Sequence, residues 1–361
     1  MNNRNRENLQ NILRYFPPAL IILMLVLFSY FSWNYKLIVD DFQFQTVMKE
    51  KSILNAAVFF YDGFNGRMAS HIFLCSVFRI FQNKENLFFI YHFIMLSGFV
   101  ISLAHFLKKY LETFRNNLLT NKKAIYWSAF ITSFLFFFFF AGRVELWFWV
   151  SATGVYLISF IISLNAFAFA LNKNQNAKTI IFSLILFFLV GGFSESFALM
   201  YLLILLSLFI FALKKNSIIK KNIISIGLGI LGIVGALLIN VLSPGIQNRL
   251  GWLPSFRIQQ AIINTIHSLA FPILRYKHLP FVIVLIGLFL LYTNGFSRKA
   301  VSKITFWKKG LMILVFIIIS FFIPSYLLSD VVPDRAASLG YFIGVLFLFD
   351  HFLLRNESFP S

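Results

Sequence analysis

Read for hydropathy alone, the chain alternates long apolar runs with short polar breaks. Runs near 18–38, 86–107, 124–141, 147–170, 179–192, 196–213, 223–242, 280–293, 310–329 and 337–354 predict ten membrane spans, since crossing the hydrocarbon core takes about 20 apolar residues of helix. An even number puts both ends of the chain on one side. One apolar segment, 66–82, breaks the rule. Its polar residues Arg67, His71, Cys75, Arg79 and Gln82 recur every three or four positions, a single stripe on a helix. That pattern predicts a helix lying in the interface with one polar face, and residues 43–60 predict a weaker second one. The loop 39–85 therefore reads as two interfacial helices over a polar patch. A second long loop, 243–279, carries Arg257, Gln260, Asn264 and His267, again at helical spacing. There is no internal repeat, no soluble domain and no inverted pair of broken helices, which argues against a secondary transporter. The expected fold is an all-α polytopic membrane protein, one transmembrane domain over 1–361.

Composition agrees and adds an orientation. The 361 residues are 59% hydrophobic and 12% charged, with a mean hydropathy of +0.79, which calls for a lipid solvent. The net charge of +19 could suggest nucleic acid, but the aromatic–basic motifs of such proteins are missing. Its distribution is more telling. Lysine and arginine crowd the N-terminus and the loops around 108–123, 173–178, 214–221 and 298–309, with only Glu7, Glu112 and Glu357 beside them. The alternate loops hold Asp40, Asp41, Glu50, Asp62, Glu85, Glu145, Glu195, Asp330 and Asp334. The positive-inside rule makes the basic side cytoplasmic, with both termini there, as expected for a bacterial inner-membrane protein. Arg4, Arg6 and Arg14 precede a first run, Pro18 to Val39, that is too long for a secretory signal and has no small-residue cleavage site after it, so it is expected to stay as a helix. Cys75 is the single cysteine, so no intrachain disulfide and no Cys-based zinc site can form.

The candidate chemistry lies on the acidic side. Adjacent carboxylates Asp40 and Asp41 end the first span; a carboxylate serves as base, metal ligand or sugar anchor, and two in a row favour a cation or a hydrogen-bonding substrate. A solvated helix end is the plainer reading. On a helix the two point about 100° apart, so one is expected to face the cavity and the other to cap or face the loop, with Asp41 favoured for the cavity. Arg67 and His71 share a helix face; arginine's planar fork suits phosphate, though it also snorkels to headgroups. Glu145 leads a helix bearing Trp147, Trp149 and Tyr156, which is either a sugar surface or an interfacial aromatic belt. Glu195 sits in Gly191-Gly-Phe-Ser-Glu-Ser196 between two tightly spaced spans, where a carboxylate is costly. Arg249 follows Pro244-Gly245, and Asp334-Arg335 open the last span. Asp350, inside that span, has no role assigned.

These residues resemble the pattern of the GT-C superfamily of integral-membrane glycosyltransferases, in particular its small bacterial members. The likeness rests on Asp40-Asp41 after the first helix, Asn65-Gly66-Arg67 in the first outer loop, Glu145…Trp149…Tyr156, Glu195, Pro244-Gly245…Arg249 and Asp334-Arg335. It implies a donor sugar on polyprenyl phosphate, a catalytic acid in the first outer loop (Asp40 or Asp41), often with a divalent cation nearby, and an inverting displacement. Arg67, Arg249 or Arg335 would then hold the lipid phosphate, and the sugar would rest near Glu145, Trp147, Trp149 and Tyr156. Membrane lipid, the lipid-linked donor and a glycan, lipid or protein acceptor are the implied partners. A lipid-linked glycan flippase, or a polysaccharide polymerase or ligase, shares the lipid-phosphate chemistry and stays open as an alternative.

Overall fold

The computed structural model describes residues 19, 22–27, 29–30, 37–82, 84–114, 125, 129–130, 132–134, 136, 143–214, 218–252, 258–274, 303–328, 336, 338–343 and 346, a few of them by backbone alone. All regular elements among these are helices: α1 Val39–Glu50, α2 Ile53–Gly63, α3 Met68–Ile80, α4 Phe88–Phe114, α5 Arg143–Phe148, α6 Val150–Ala170, α7 Ala177–Phe193, α8 Glu195–Ala212, α9 Ile223–Val241, α10 Pro244–Trp252, α11 Ile258–Leu274 and α12 Lys303–Leu328. Four stretches are long and apolar enough to cross a membrane: α4, α6, α8, and α9 with its leading turn, Lys220–Val241. The expected spans 179–192 and 310–329 appear as α7, which has 17 residues, and as α12, whose apolar part is Leu314–Tyr326. Those near 124–141, 280–293 and 337–354 lie mostly or wholly outside the described residues, and the one near 18–38 is described for about half of its length.

Packing follows from small residues and buried polar ties. On α9, Gly232 approaches α7 so closely that a Cβ there would lie 2.6 Å from the Leu184 carbonyl oxygen; where lipid is as apolar as leucine, such small contacts hold helices together. Asn165 on α6 donates to Ser102 on α4 at 2.6 Å, and the His105 ring lies 3.0 Å from the same amide. At one end of the bundle, Thr113 donates to the Leu171 carbonyl at 2.7 Å and Asn222 to the Ala170 and Asn172 carbonyls at 2.8 Å. Lys108, Lys109, Lys173, Lys178, Lys214, Lys220 and Lys221 flank helix ends here. At the opposite end, Asn240 of α9 donates to the Gly191 carbonyl of α7 at 2.7 Å, Glu195 pairs with Arg67, the Asp62 carbonyl accepts from Asn248, and Asp41 accepts from Ser151.

Two features depart from the sequence reading. Helix α3 was expected to lie in the interface with one polar face, over a polar patch. Instead Ser70, His71, Leu74, Cys75, Val77 and Phe78 are buried, and α3 packs against α1, α2, α7 and the start of α6. It is α2 whose exposed positions include Leu54, Val58 and Phe59. The expected span 147–170 is also discontinuous. The chain is extended at Trp149 (φ −86°, ψ 113°), α6 restarts at Val150, and Thr153–Leu157 form a π turn. The Thr153 hydroxyl bonds back to the Leu146 and Trp149 carbonyls at 3.0 and 2.8 Å, stitching the break. Helix breaks and π turns tend to mark functional sites.

Candidate functional site

The break at Trp149 opens one wall of a cavity. Helices α1, α2 and α3, together with the corner 64–67, close it, leaving about 620 Å³ of empty space that is partly continuous with solvent. Polar lining comes from Asp40, Gln43, Asn65, Arg67, Ser70, His71, Ser151 and the Tyr156 hydroxyl, and aromatic lining from Phe44, Phe60, Phe64, Trp149 and Tyr156.

Close packing at the corner Asn65-Gly66-Arg67 aims α3. A Cβ on Gly66 would collide with the Asn240 carbonyl and sit 2.6 Å from both Asn240 Cα and the Ser243 hydroxyl, so only glycine lets the corner seat against the end of α9. One turn later Ala69 meets Gly192 of α7, where an added Cβ would lie 2.9 Å away. This seating brings Arg67 to the first residue of α8: its Nε donates to Glu195 Oε2 at 2.6 Å, with 17% and 13% of the two side chains exposed. Burial opposes the guanidinium charge, but Glu195 and Tyr156 outweigh it and hold Arg67 more firmly protonated than a free arginine.

Asn65 also sets the state of His71. Its Oδ1 accepts from the Arg67 backbone N–H at 3.1 Å, which fixes the amide orientation. The same oxygen lies 2.9 Å from His71 Nε2, and the Asn65 carbonyl 3.3 Å. With two acceptors facing it, Nε2 must carry the proton. The ring stacks on Phe60 at a centroid distance of 5.6 Å. Burial first, and the Arg67 charge second, lower its pKa to about 4, so it is neutral at physiological pH. Burial pushes the Cys75 thiol up to about 12, which removes it as a nucleophile.

The two aspartates have separated tasks, in the opposite sense to the expectation. Asp40 is exposed and lines the cavity. Asp41 is fully buried. Its Oδ1 accepts from the Ser151 backbone N–H at 3.0 Å and from the Ser151 hydroxyl, and its Oδ2 from the Ile38 N–H at 3.2 Å. Asp41 thus caps the restarted helix α6 from another element, where the positive end of the helix dipole favours its charge. With Asp41 committed in this way, the pair does not present two open carboxylates to one divalent cation, and no group of three His, Cys, Asp or Glu side chains converges among the described residues.

Of the other sequence candidates, Trp149 and Tyr156 line the cavity with Arg67 and His71, and Glu195 reaches it through Arg67. Trp147 does not line it; it is fully buried, edge-on to Phe99 and Phe136 at 5.7 and 5.3 Å. Glu145, on α5, is also absent from the lining. Arg249 lies on α10, whose Asn248 donates to the Asp62 carbonyl at 3.2 Å, but its side chain is outside the described residues, as are Asp334 and Arg335. Sequence reasoning missed Gln43, Ser70 and Ser151, which carry no pattern of their own. No family model matches this chain, and neither a curated protein nor a solved structure does.

Proposed function

We propose that the chain is a membrane glycosyltransferase of GT-C type, which transfers a sugar from polyprenyl phosphate to an acceptor on the extracytoplasmic face. The observation that carries this reading is the make-up of the cavity: a carboxylate, Asp40, faces two aromatic walls and a ring of hydrogen-bonding side chains at the acidic end of an apolar bundle. Aromatic faces with convergent polar groups suit a sugar ring, whose faces are apolar and whose rim is hydroxyl. Trp149 and Tyr156 flank the ring, while Asn65, Arg67 and His71 meet its hydroxyls. Asp40 takes the proton from the acceptor hydroxyl as that oxygen attacks the anomeric carbon. The bond from that carbon to the phosphate oxygen breaks, lipid phosphate leaves, and the anomeric centre inverts. By the resemblance to the GT-C superfamily, Arg249 or Arg335 would offset the charge developing on the leaving phosphate.

The test is direct. Purified protein in nanodiscs, given a panel of polyprenyl-phosphate hexoses and pentoses carrying labelled sugar, should release lipid phosphate and pass label to envelope glycan, lipid or protein fractions. If no donor in the panel reacts with the intact protein, the reading fails.

A further inference from the structure

The cavity does not have the charge a phosphate site needs. Among the described residues Arg67 is the one cation in its lining, and that guanidinium already spends its Nε–H on Glu195 and interacts with the Tyr156 hydroxyl. Both partners of the ion pair are mostly shielded from water, where screening is weak and an opposite charge at contact cancels most of the field. His71 adds nothing, being neutral. Among the described residues Asp40 is then the uncompensated charge on the wall, with the buried anion Asp41 behind Ser151. Among the described residues, Asp40 lines the cavity, Asp41 lies behind Ser151 and Glu195 holds the one lining cation, Arg67.

We propose that Glu195 sets the ligand preference of the cavity: by neutralising Arg67 it lets a neutral, hydroxyl-rich ring in and keeps anions, phosphate included, out. This rests on the glycosyl-transfer reading for the identity of the ring but not for the exclusion of phosphate. On that reading the cavity holds the sugar or the acceptor, and the lipid phosphate stays at its rim. Glu195 is a specificity-determining residue here; it acts through Arg67 and does not touch the reacting atoms.

The experiment reports from the cavity wall itself. Protein labelled with 5-fluorotryptophan is placed in nanodiscs, and the Trp149 fluorine resonance is assigned by its loss in Trp149→Phe. Methyl glycosides and inorganic phosphate are titrated separately. In the unaltered protein, glycosides should move the Trp149 signal, and phosphate should not move it at concentrations where the best glycoside saturates. Glu195→Gln keeps the side-chain shape and an acceptor oxygen for Arg67 but drops the charge; phosphate should then bind at least about tenfold more tightly, the effect expected of one unit charge near a partly shielded site. Glu195→Asp should restore exclusion. Phosphate that moves Trp149 in the unaltered protein as readily as a glycoside overturns the proposal, and so does a Glu195→Gln variant with unchanged phosphate affinity. Should Glu195→Gln not fold, the phosphate titration of the unaltered protein still decides. Glycosides that fail to bind while phosphate remains excluded sink the sugar reading and leave the charge argument standing.

Discussion

At the scale of single residues, the neighbours Asp40 and Asp41 divide into a cavity group and a helix cap. Asp40→Asn should cost transfer activity roughly 10²–10⁴-fold, the usual contribution of a general base, with the protein folded and equally abundant. Asp41→Asn should behave differently. It removes a buried charge from three donors and should lower stability by about 1–3 kcal/mol, seen as a lower unfolding temperature in detergent, with activity per folded molecule kept within about tenfold of the unaltered protein. The reverse outcome would hand the base to Asp41. His71 gives a pH signature. A histidine free in the unfolded chain titrates near 6.5, whereas burial and Arg67 lower the folded value to about 4. Between these values the unfolded chain binds the extra proton, so this contribution is complete above about pH 6.5 and fades as pH falls toward 4, by at most about 3 kcal/mol. His71→Asn should flatten that slope in thermal unfolding measured from pH 4 to 7. The sequence made the aspartate pair visible as a candidate. Which member faces inward was not legible, because it depends on where α1 begins and on the partner at Ser151, 110 residues away.

At the scale of helices, periodicity located α3 and misjudged its surroundings. Arg67, His71 and Cys75 fall on one stripe, and a polar stripe ordinarily faces water. Here Arg67 and His71 face the Asn65 turn and the cavity, Cys75 is buried, and α2 packs against the helix. Nothing local distinguishes a polar face turned to solvent from one turned to an internal polar site; only the partners do. The same holds for α6. The stretch 147–170 that contains it is uniformly apolar enough to read as unbroken, and the break at Trp149 persists because Asp41, from another element, satisfies the restarted end. The glycines were more legible as a class than as positions. Gly66→Ala should show how tightly the corner is held: its methyl has only the backbone of Asn240 and the Ser243 hydroxyl to push against. Overpacking of that kind typically costs about 1–3 kcal/mol. It should also shift Arg67 away from Glu195, so activity should fall along with the unfolding temperature. A variant with unaltered stability would mean that the corner is loosely seated.

At the scale of the whole molecule, charge is sorted along the bundle. The lysine-flanked helix ends lie opposite Asp40, Asp41, Asp62 and Glu195, and this was the most legible property of the sequence, since it needs only the sign of each loop. Cysteine labelling in a Cys75→Ser background tests its orientation. Lys84→Cys and Gln247→Cys should react with an impermeant maleimide from outside intact cells, and Lys109→Cys and Lys214→Cys only after permeabilisation. Labelling of position 109 from outside would invert the assignment of faces. The ties that build the cavity have a further consequence, for biosynthesis. Asp41 waits for a partner 110 residues downstream, Arg67 for one 128 downstream, and the Tyr61 hydroxyl for the Ile239 carbonyl, 178 downstream. A ribosome delivers the first acids and the arginine to the membrane long before anything can neutralise or cap them. The ties to Ser151, Glu195 and Ile239 can form only once α6, α8 and α9 have been made. The ties around the cavity are therefore complete only once Ile239 has been made, and a chain stalled before Glu195 would leave Arg67 without its ion-pair partner.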